Sequence, residues 1–256
     1  MKNIYIGDTH GRVAWRQIVE DNDDADNIVF IGDYFDSFDV PGIRQLNNAI
    51  DIVNYKRLIE STTDRKVYLL VGNHDHHYMP GVKHKGSMSG FQPTMAFQFE
   101  QFFRENEDMF QMCAMIGNVL CTHAGVSATF LRDTGFTSRE DTSSKYIPDF
   151  LNDLFKYKPN EFGFNAYTDR HYGLAYADSY GDNEGQSPIW IRPRSLQKSN
   201  RGTILKDEVI QVVGHTQVET IDIKGRSTGG KYYYIDALHN GQYLIEENGE
   251  FKIGKV

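Results

Sequence analysis

Five short clusters along this chain set metal-ligating or acid–base side chains behind a small residue. They are Asp8 and His10 in GDTHG, Asp33 and Asp36 in GDYFDS, Asn73, His74 and Asp75 in GNHD, His123 in THAG, and His215 in VVGHTQ. Singly, each has an ordinary reading: a lone aspartate at a strand end caps a helix, and a lone histidine is a satisfied surface residue. Together they would place carboxylates, an amide oxygen and several imidazoles face to face. Such a group repels itself and is costly to desolvate unless cations fill it. Mixed oxygen and nitrogen donors without thiolate suit Mn, Fe or Zn better than Ca or a structural zinc. Two divalent ions about 3.5–4 Å apart that share a carboxylate form a site for phosphate-ester hydrolysis.

The elements needed to bring these clusters together are legible in the chain. Apolar runs at 3–7, 28–31 and 66–71 read as strands, each running out into a glycine and then a polar cluster. Between them, 12–21 and 42–60 read as helices, the second from the helical spacing of Ile43, Leu46, Ile50, Val53 and Leu58. Alternating strands and helices predict a parallel α/β layer with right-handed crossovers, whose carboxyl-end loops converge on one edge. Further on, 93–106 reads as a phenylalanine-rich core helix, 119–121 and 209–213 as strands and 146–157 as a helix. Lys231–Ile235 and Gln242–Ile245 read as a hairpin, and 77–92 as an exposed loop; His76, His77 and His84 are read as solvent-facing, with lining the site mouth as the other use. Tyrosines across 157–180 are read as packing, with base stacking as the other use.

Composition narrows the function classes. With 256 residues and 39% hydrophobic content the chain can bury a sizeable core. It is expected to form one domain over 1–256, with inserted segments at about 77–110 and 127–187 shaping a substrate pocket. A net charge of −8 argues against broad nucleic-acid binding, which needs clustered Lys and Arg. Two cysteines, Cys113 and Cys121, make neither a disulfide scaffold nor a zinc knuckle. The sequence has no transmembrane-length apolar run, so no membrane partner and a cytoplasmic location are expected.

The ordered motifs GDTHG, GDYFDS, GNHD, THAG and VVGHTQ resemble those of the calcineurin-like metallophosphoesterases, and within them the phosphoprotein-phosphatase branch. That branch includes bacterial and phage phosphatases and symmetrical dinucleoside tetraphosphate hydrolases. The resemblance implies a four-layer α/β/β/α sandwich with a dinuclear site at the carboxyl ends of the strands. Asp8 and His10 would hold one ion, Asp33 would bridge, and Asn73, His123 and His215 would hold the second. Manganese is the first choice, with Fe, Zn, Ni or Mg as other occupants. Many relatives carry a second histidine where this chain has Gln217, so the first ion would have three protein ligands plus solvent, as in the phosphatase branch. A water bridging the ions would attack phosphorus, while His74, oriented by Asp36, protonates the leaving oxygen.

Two arginine positions bear on the substrate. Relatives place an arginine after the second aspartate of the second motif, where this chain has Ser37. A second family arginine lies in a Trp-x-Arg segment, matched by Trp190 and Arg192, with Arg194 a lesser candidate. The expected function is a metal-dependent phosphatase acting on a phosphoprotein or small phosphomonoester. The alternatives are a dinucleoside polyphosphate or other nucleotide phosphohydrolase, and a catalytically silent binding scaffold.

Overall fold

The computed structural model describes residues 1–83, 89–136, 143–166, 182–223 and 231–256. Two sheets carry the fold. The larger has the strand order β10-β9-β1-β2-β3-β4, and the smaller the order β5-β6-β7-β8. In the first, β1 (Lys2–Ile6), β2 (Asn27–Phe30), β3 (Lys66–Leu70) and β4 (Phe110–Gln111) run parallel. In the second, β5 (Ala114–Ile116) pairs antiparallel with β6 (Val119–Cys121). Parallel pairing continues through β7 (Ile210–Gln217) and β8 (Tyr232–Asp236).

The strand period of two sorts side chains between two cores. Ile4, Ile6, Ile28, Phe30, Val67 and Leu69 enter the core beneath the helices. Tyr5, Val29 and Leu70, the alternate residues, join Cys121, Val212 and Ile235 in a second core between the sheets. Beyond the smaller sheet, Ala124 and Tyr232 pack with Leu196 of the helix Pro193–Ser199. Because the central strands are buried on both faces, they read as nearly continuous apolar runs.

The helices come out as α1 (Trp15–Glu20), α2 (Gly42–Thr62), α3 (Asn73–His76), α4 (Ala96–Glu105), α5 (Ala128–Asp133) and α6 (Ile147–Tyr157). The helix expected over 42–60 forms as α2, although Ile43, Ile50 and Leu58 of its apolar stripe face outward and the buried face is Gln45, Asn48, Ala49, Ile52 and Val53. Its two amides are held by polar partners: Gln45 donates to Val40 O and accepts from Ser37 N–H, and Asn48 Oδ1 accepts from the Trp15 indole. Residues 231–235 and 242–245 do not form a hairpin. β8 pairs with β7, whereas β9 (Gln242–Glu247) inserts beside β1 in the other sheet and turns back into β10 (Glu250–Lys255). Finally, His76 and His77 are buried, not exposed, together with Tyr78, Met79 and Val82. His84 lies outside the described residues.

Candidate metal centre

The candidate ligands sit just past strand ends, save His215, which lies within β7 at a break in its register. β1 ends at Ile6 and delivers Asp8 and His10; β2 ends at Phe30 and delivers Asp33 and Asp36. β3 ends at Leu70, and Gly72 opens α3, which carries Asn73 and His74. β6 delivers His123, and His215 sits where the β7–β8 register shifts between Val213 and Gln217. Such a bulge re-aims a side chain out of the ladder. His10, Asp33, Asp36 and His215 all adopt left-handed backbone, with φ of 44°, 52°, 62° and 61°. This conformation costs on the order of 1–2 kcal/mol for each L-residue, so surrounding contacts must hold it.

Those contacts are visible. Asp75, fully buried, accepts N–H bonds from Asp33 (2.7 Å), Tyr34 (2.8 Å) and Gly72 (2.9 Å), locking the second and third loops together. Burial and the Asp33 carboxylate push Asp75 up to about 7, against the N–H donors that favour its ionised form. Two glycines are required by close approach. A Cβ on Gly72 would stand 2.1 Å from Asp33 Oδ1, and one on Gly214 would stand 1.9 Å from Asp8 Oδ1.

The three candidate imidazole ligands share one arrangement. His10 Nδ1 meets Phe35 O at 2.6 Å, His123 Nδ1 meets Ile31 O at 3.0 Å, and His215 Nε2 meets Trp190 O at 3.2 Å. A ring N–H donated to a backbone carbonyl leaves the opposite nitrogen as a bare lone pair facing inward. The inward nitrogens meet other acceptors. His123 Nε2 and His215 Nδ1 lie 2.8 and 2.9 Å from Asn73 Oδ1. Asp33 Oδ2 lies between His123 Nε2 at 3.3 Å and His10 Nε2 at 3.7 Å, while Asp33 Oδ1 accepts the His74 N–H. Acceptors facing acceptors call for a shared cation, and the residues fit one. Asp8, Asp33 and His123 alone bring one ligand atom each within 4.8 Å of one another.

Protonation of these groups shows the same demand for positive charge. Burial works to lower His123, but Asp33 and Asp8 raise it to about 10. Burial works to raise Asp33, yet His123, His74 and His10 hold it well below the carboxylate range. Asp8 is pushed well above that range by burial and by the Asp236 carboxylate. His215 falls well below the imidazole range through burial and the charges of His123 and Arg192.

The site opens into a cavity of about 160 Å³. Asp8, His10, Asp33, Asn73 and His215 line it with His74, whereas His123 is buried beneath. His74 Nδ1 stands 3.0 Å from Asp36 Oδ2. Burial opposes protonation of His74, but Asp33 and Asp36 raise it above the ordinary imidazole value. Arg192 also lines the cavity, with Nη1 at 3.4 Å from both His215 O and Thr216 Oγ1. Arg194 is exposed on the helix Pro193–Ser199 and is not among the cavity residues. Ser37 turns away: its hydroxyl donates to Asp39 Oδ1 at 2.6 Å and accepts from Val40 N–H. Trp190, Asp236 and Ser89 complete the lining, and none stands out in the sequence as a site residue in its own right. Asp236 had a signal all the same, since it ends the apolar run YYYI much as Asp8 follows IYI.

Among the described residues, no helix is long and apolar enough to cross a membrane. Residues 1–219 match the family model described as calcineurin-like phosphoesterase. A solved metallophosphoesterase from Sphaerobacter thermophilus is similar at 15% identity and a TM-score of 0.33. The likeness covers 55% of this chain and 56% of that one, so the chain spans little more than half of that relative's length. No curated protein matches the chain.

Proposed function

The chain belongs to the calcineurin-like phosphoesterase family, a class of metal-dependent phosphoric ester hydrolases, and from that premise we propose that it hydrolyses phosphate monoesters in the manner of the phosphoprotein-phosphatase branch. Its substrate is a phosphoprotein or a small phosphomonoester. The observation that carries this reading is the ring of inward-facing nitrogens and carboxylate oxygens with His74 at the cavity rim. Asp8 and His10 would hold one ion, Asn73, His123 and His215 the other, and the Asp33 carboxylate would be shared by both. Two divalent ions, manganese first, would supply charge for the phosphoryl oxygens and lower the pKa of a coordinated water to roughly 7.

The chain's own groups do the rest. Arg192 reaches the cavity with a guanidinium fork suited to two phosphoryl oxygens. Because His74 Nδ1 is held on Asp36, Nε2 is the atom that delivers a proton to the leaving oxygen. His74 is raised above its ordinary value, so it carries that proton near neutrality. In this reading residues 1–256 act as one domain in the cytoplasm, and of the inserted segments expected to shape the pocket, the first contributes Ser89 to the cavity lining.

The test is a screen of the manganese-loaded chain against phosphopeptides, p-nitrophenyl phosphate, mononucleotides and dinucleoside tetraphosphate. Turnover of the first two supports the proposal. Cleavage confined to dinucleoside tetraphosphate would move the assignment to the nucleotide hydrolases. Stoichiometric metal with no turnover of any ester would leave a binding scaffold.

A further inference from the structure

The Asp36 carboxylate is held by more donors than an imidazole–carboxylate pair needs. Tyr78 donates its hydroxyl to Oδ1 at 2.6 Å, and the Tyr78 oxygen itself accepts from Gln92 N–H at 2.8 Å. On the other oxygen, Oδ2, His74 Nδ1 at 3.0 Å is joined by His77 Nε2 at 2.8 Å. The His77 contact lies off the ring's N–H direction, so it is a charge and dipole contact and not an aligned hydrogen bond. The His77 side chain is only 3% exposed, and its Nδ1 has no hydrogen-bond partner among the described residues. A ring that merely filled space would be apolar, because burying an unsatisfied polar atom is costly. Here one nitrogen goes unpaired while the other is pressed against Asp36.

The surroundings fix that placement. His77 packs edge-on against Tyr78 and Phe91, with ring centroids at 4.3 and 5.2 Å, and Phe91 stacks on Tyr78. The His74 and His77 rings stand 6.2 Å apart on either side of the shared oxygen. Asp36 occupies left-handed backbone and needs external restraint to keep its carboxylate aimed. Resting on the phosphoesterase reading, we propose that His77 is a positioning residue: with Tyr78 it pins both oxygens of Asp36, which in turn fixes the ring of His74 with Nε2 toward the leaving group.

The test uses the full manganese-loaded chain and two esters that differ in leaving group. 2,4-Dinitrophenolate departs without a proton, whereas phenolate needs one. His77→Leu should lower kcat on phenyl phosphate at least about tenfold more than on 2,4-dinitrophenyl phosphate, with KM little changed. His77→Gln, which keeps an N–H donor, should restore most of the difference. A second measurement, independent of turnover, is the ¹⁵N–¹H ring spectrum of the chelator-treated protein. At a pH alkaline enough to leave the His74 ring neutral, it should show a single Nδ1–H tautomer in the wild type and in His77→Gln, and a mixture in His77→Leu. Equal losses on both esters, or a Gln variant as impaired as Leu, would overturn the proposal. So would a His74 tautomer that stays fixed in His77→Leu. If the wild type hydrolyses neither ester, the phosphoesterase reading fails, and the ring spectrum still decides the role of His77.

Discussion

The six-stranded sheet brings Asp8, His10, Asp33 and Asn73 to its edge, while the four-stranded sheet brings His123 and His215. One side is rich in carboxylates, the other wholly imidazole. The six-stranded side also supplies His74 and Asp36, the pair proposed to donate the proton. The six-stranded edge supplies the charge with one candidate ring nitrogen, His10, and the four-stranded edge adds two more nitrogens and no candidate carboxylate ligand. The ligand atoms of Asp8, Asp33 and His123 come within 4.8 Å of one another only because the inter-sheet core of Tyr5, Val29, Cys121 and Val212 presses the two edges together. The site is therefore a property of sheet-on-sheet packing and of no single βα loop.

Removing one ligand from each edge should have unequal consequences. Asp33 Oδ2 faces imidazoles of both sheets, so Asp33→Ala is expected to lose both ions on dialysis and at least ~10³-fold in turnover. His215→Ala should keep the ion held by Asp8, His10 and Asp33. Metal analysis of the two variants distinguishes them, and equal metal loss would refute the bridging role of Asp33.

The seam between the sheets offers a finer probe. Gly214→Ala would drive a Cβ to 1.9 Å from Asp8 Oδ1, so metal affinity measured by titration calorimetry should weaken by roughly 10–100-fold. Gly202→Ala is the control: it meets nothing within 4 Å, although its φ of 70°, unlike the backbone at Gly214, lies in the left-handed region. It should cost only about 1–2 kcal/mol of backbone strain and leave metal affinity intact. Matched affinities in the two variants would break the claim that the seam is tight.

The smallest expected effect is the pH dependence of the metal-stripped protein. His123 is raised from 6.5 to about 10 by its carboxylate neighbours, although burial opposes this. A raised imidazole stabilises the fold fully below the unfolded value and ceases to do so as pH climbs through the folded value. Melting temperature in chelator should thus fall between about 6.5 and about 10, whereas the metal-loaded protein, with ions in place of protons, should hold level. Parallel curves with and without chelator would show that His123 and the ions do not compete for one place.

How much of this was legible in advance follows from what each feature depends on. The candidate ligands could be gathered from the sequence because each stands within a residue or three of a glycine or threonine in or beside a strand, and that pattern lies within a few positions. The buried face of α2 was not, since it rests on Gln45 and Asn48, whose partners Val40 and Trp15 are supplied by the fold. The supposed hairpin of 231–245 failed for a similar reason. Both segments are sound strands, but Gly241, at φ 69°, sends the chain into the other sheet. His76 and His77 sit in a polar, glycine-rich stretch and were read as solvated, whereas α3 turns them inward against Pro159 O and Asp36.

Asp8 accepts the backbone N–H of His215 at 3.0 Å, across 207 residues of chain. At the usual ~5–20 residues per second of synthesis, the first carboxylate of the site would wait on the order of 10–40 s for the partner that satisfies it. Until then the emerging chain exposes an acidic strand end with no mate, and the last ligand to be made decides when the protein becomes able to bind metal.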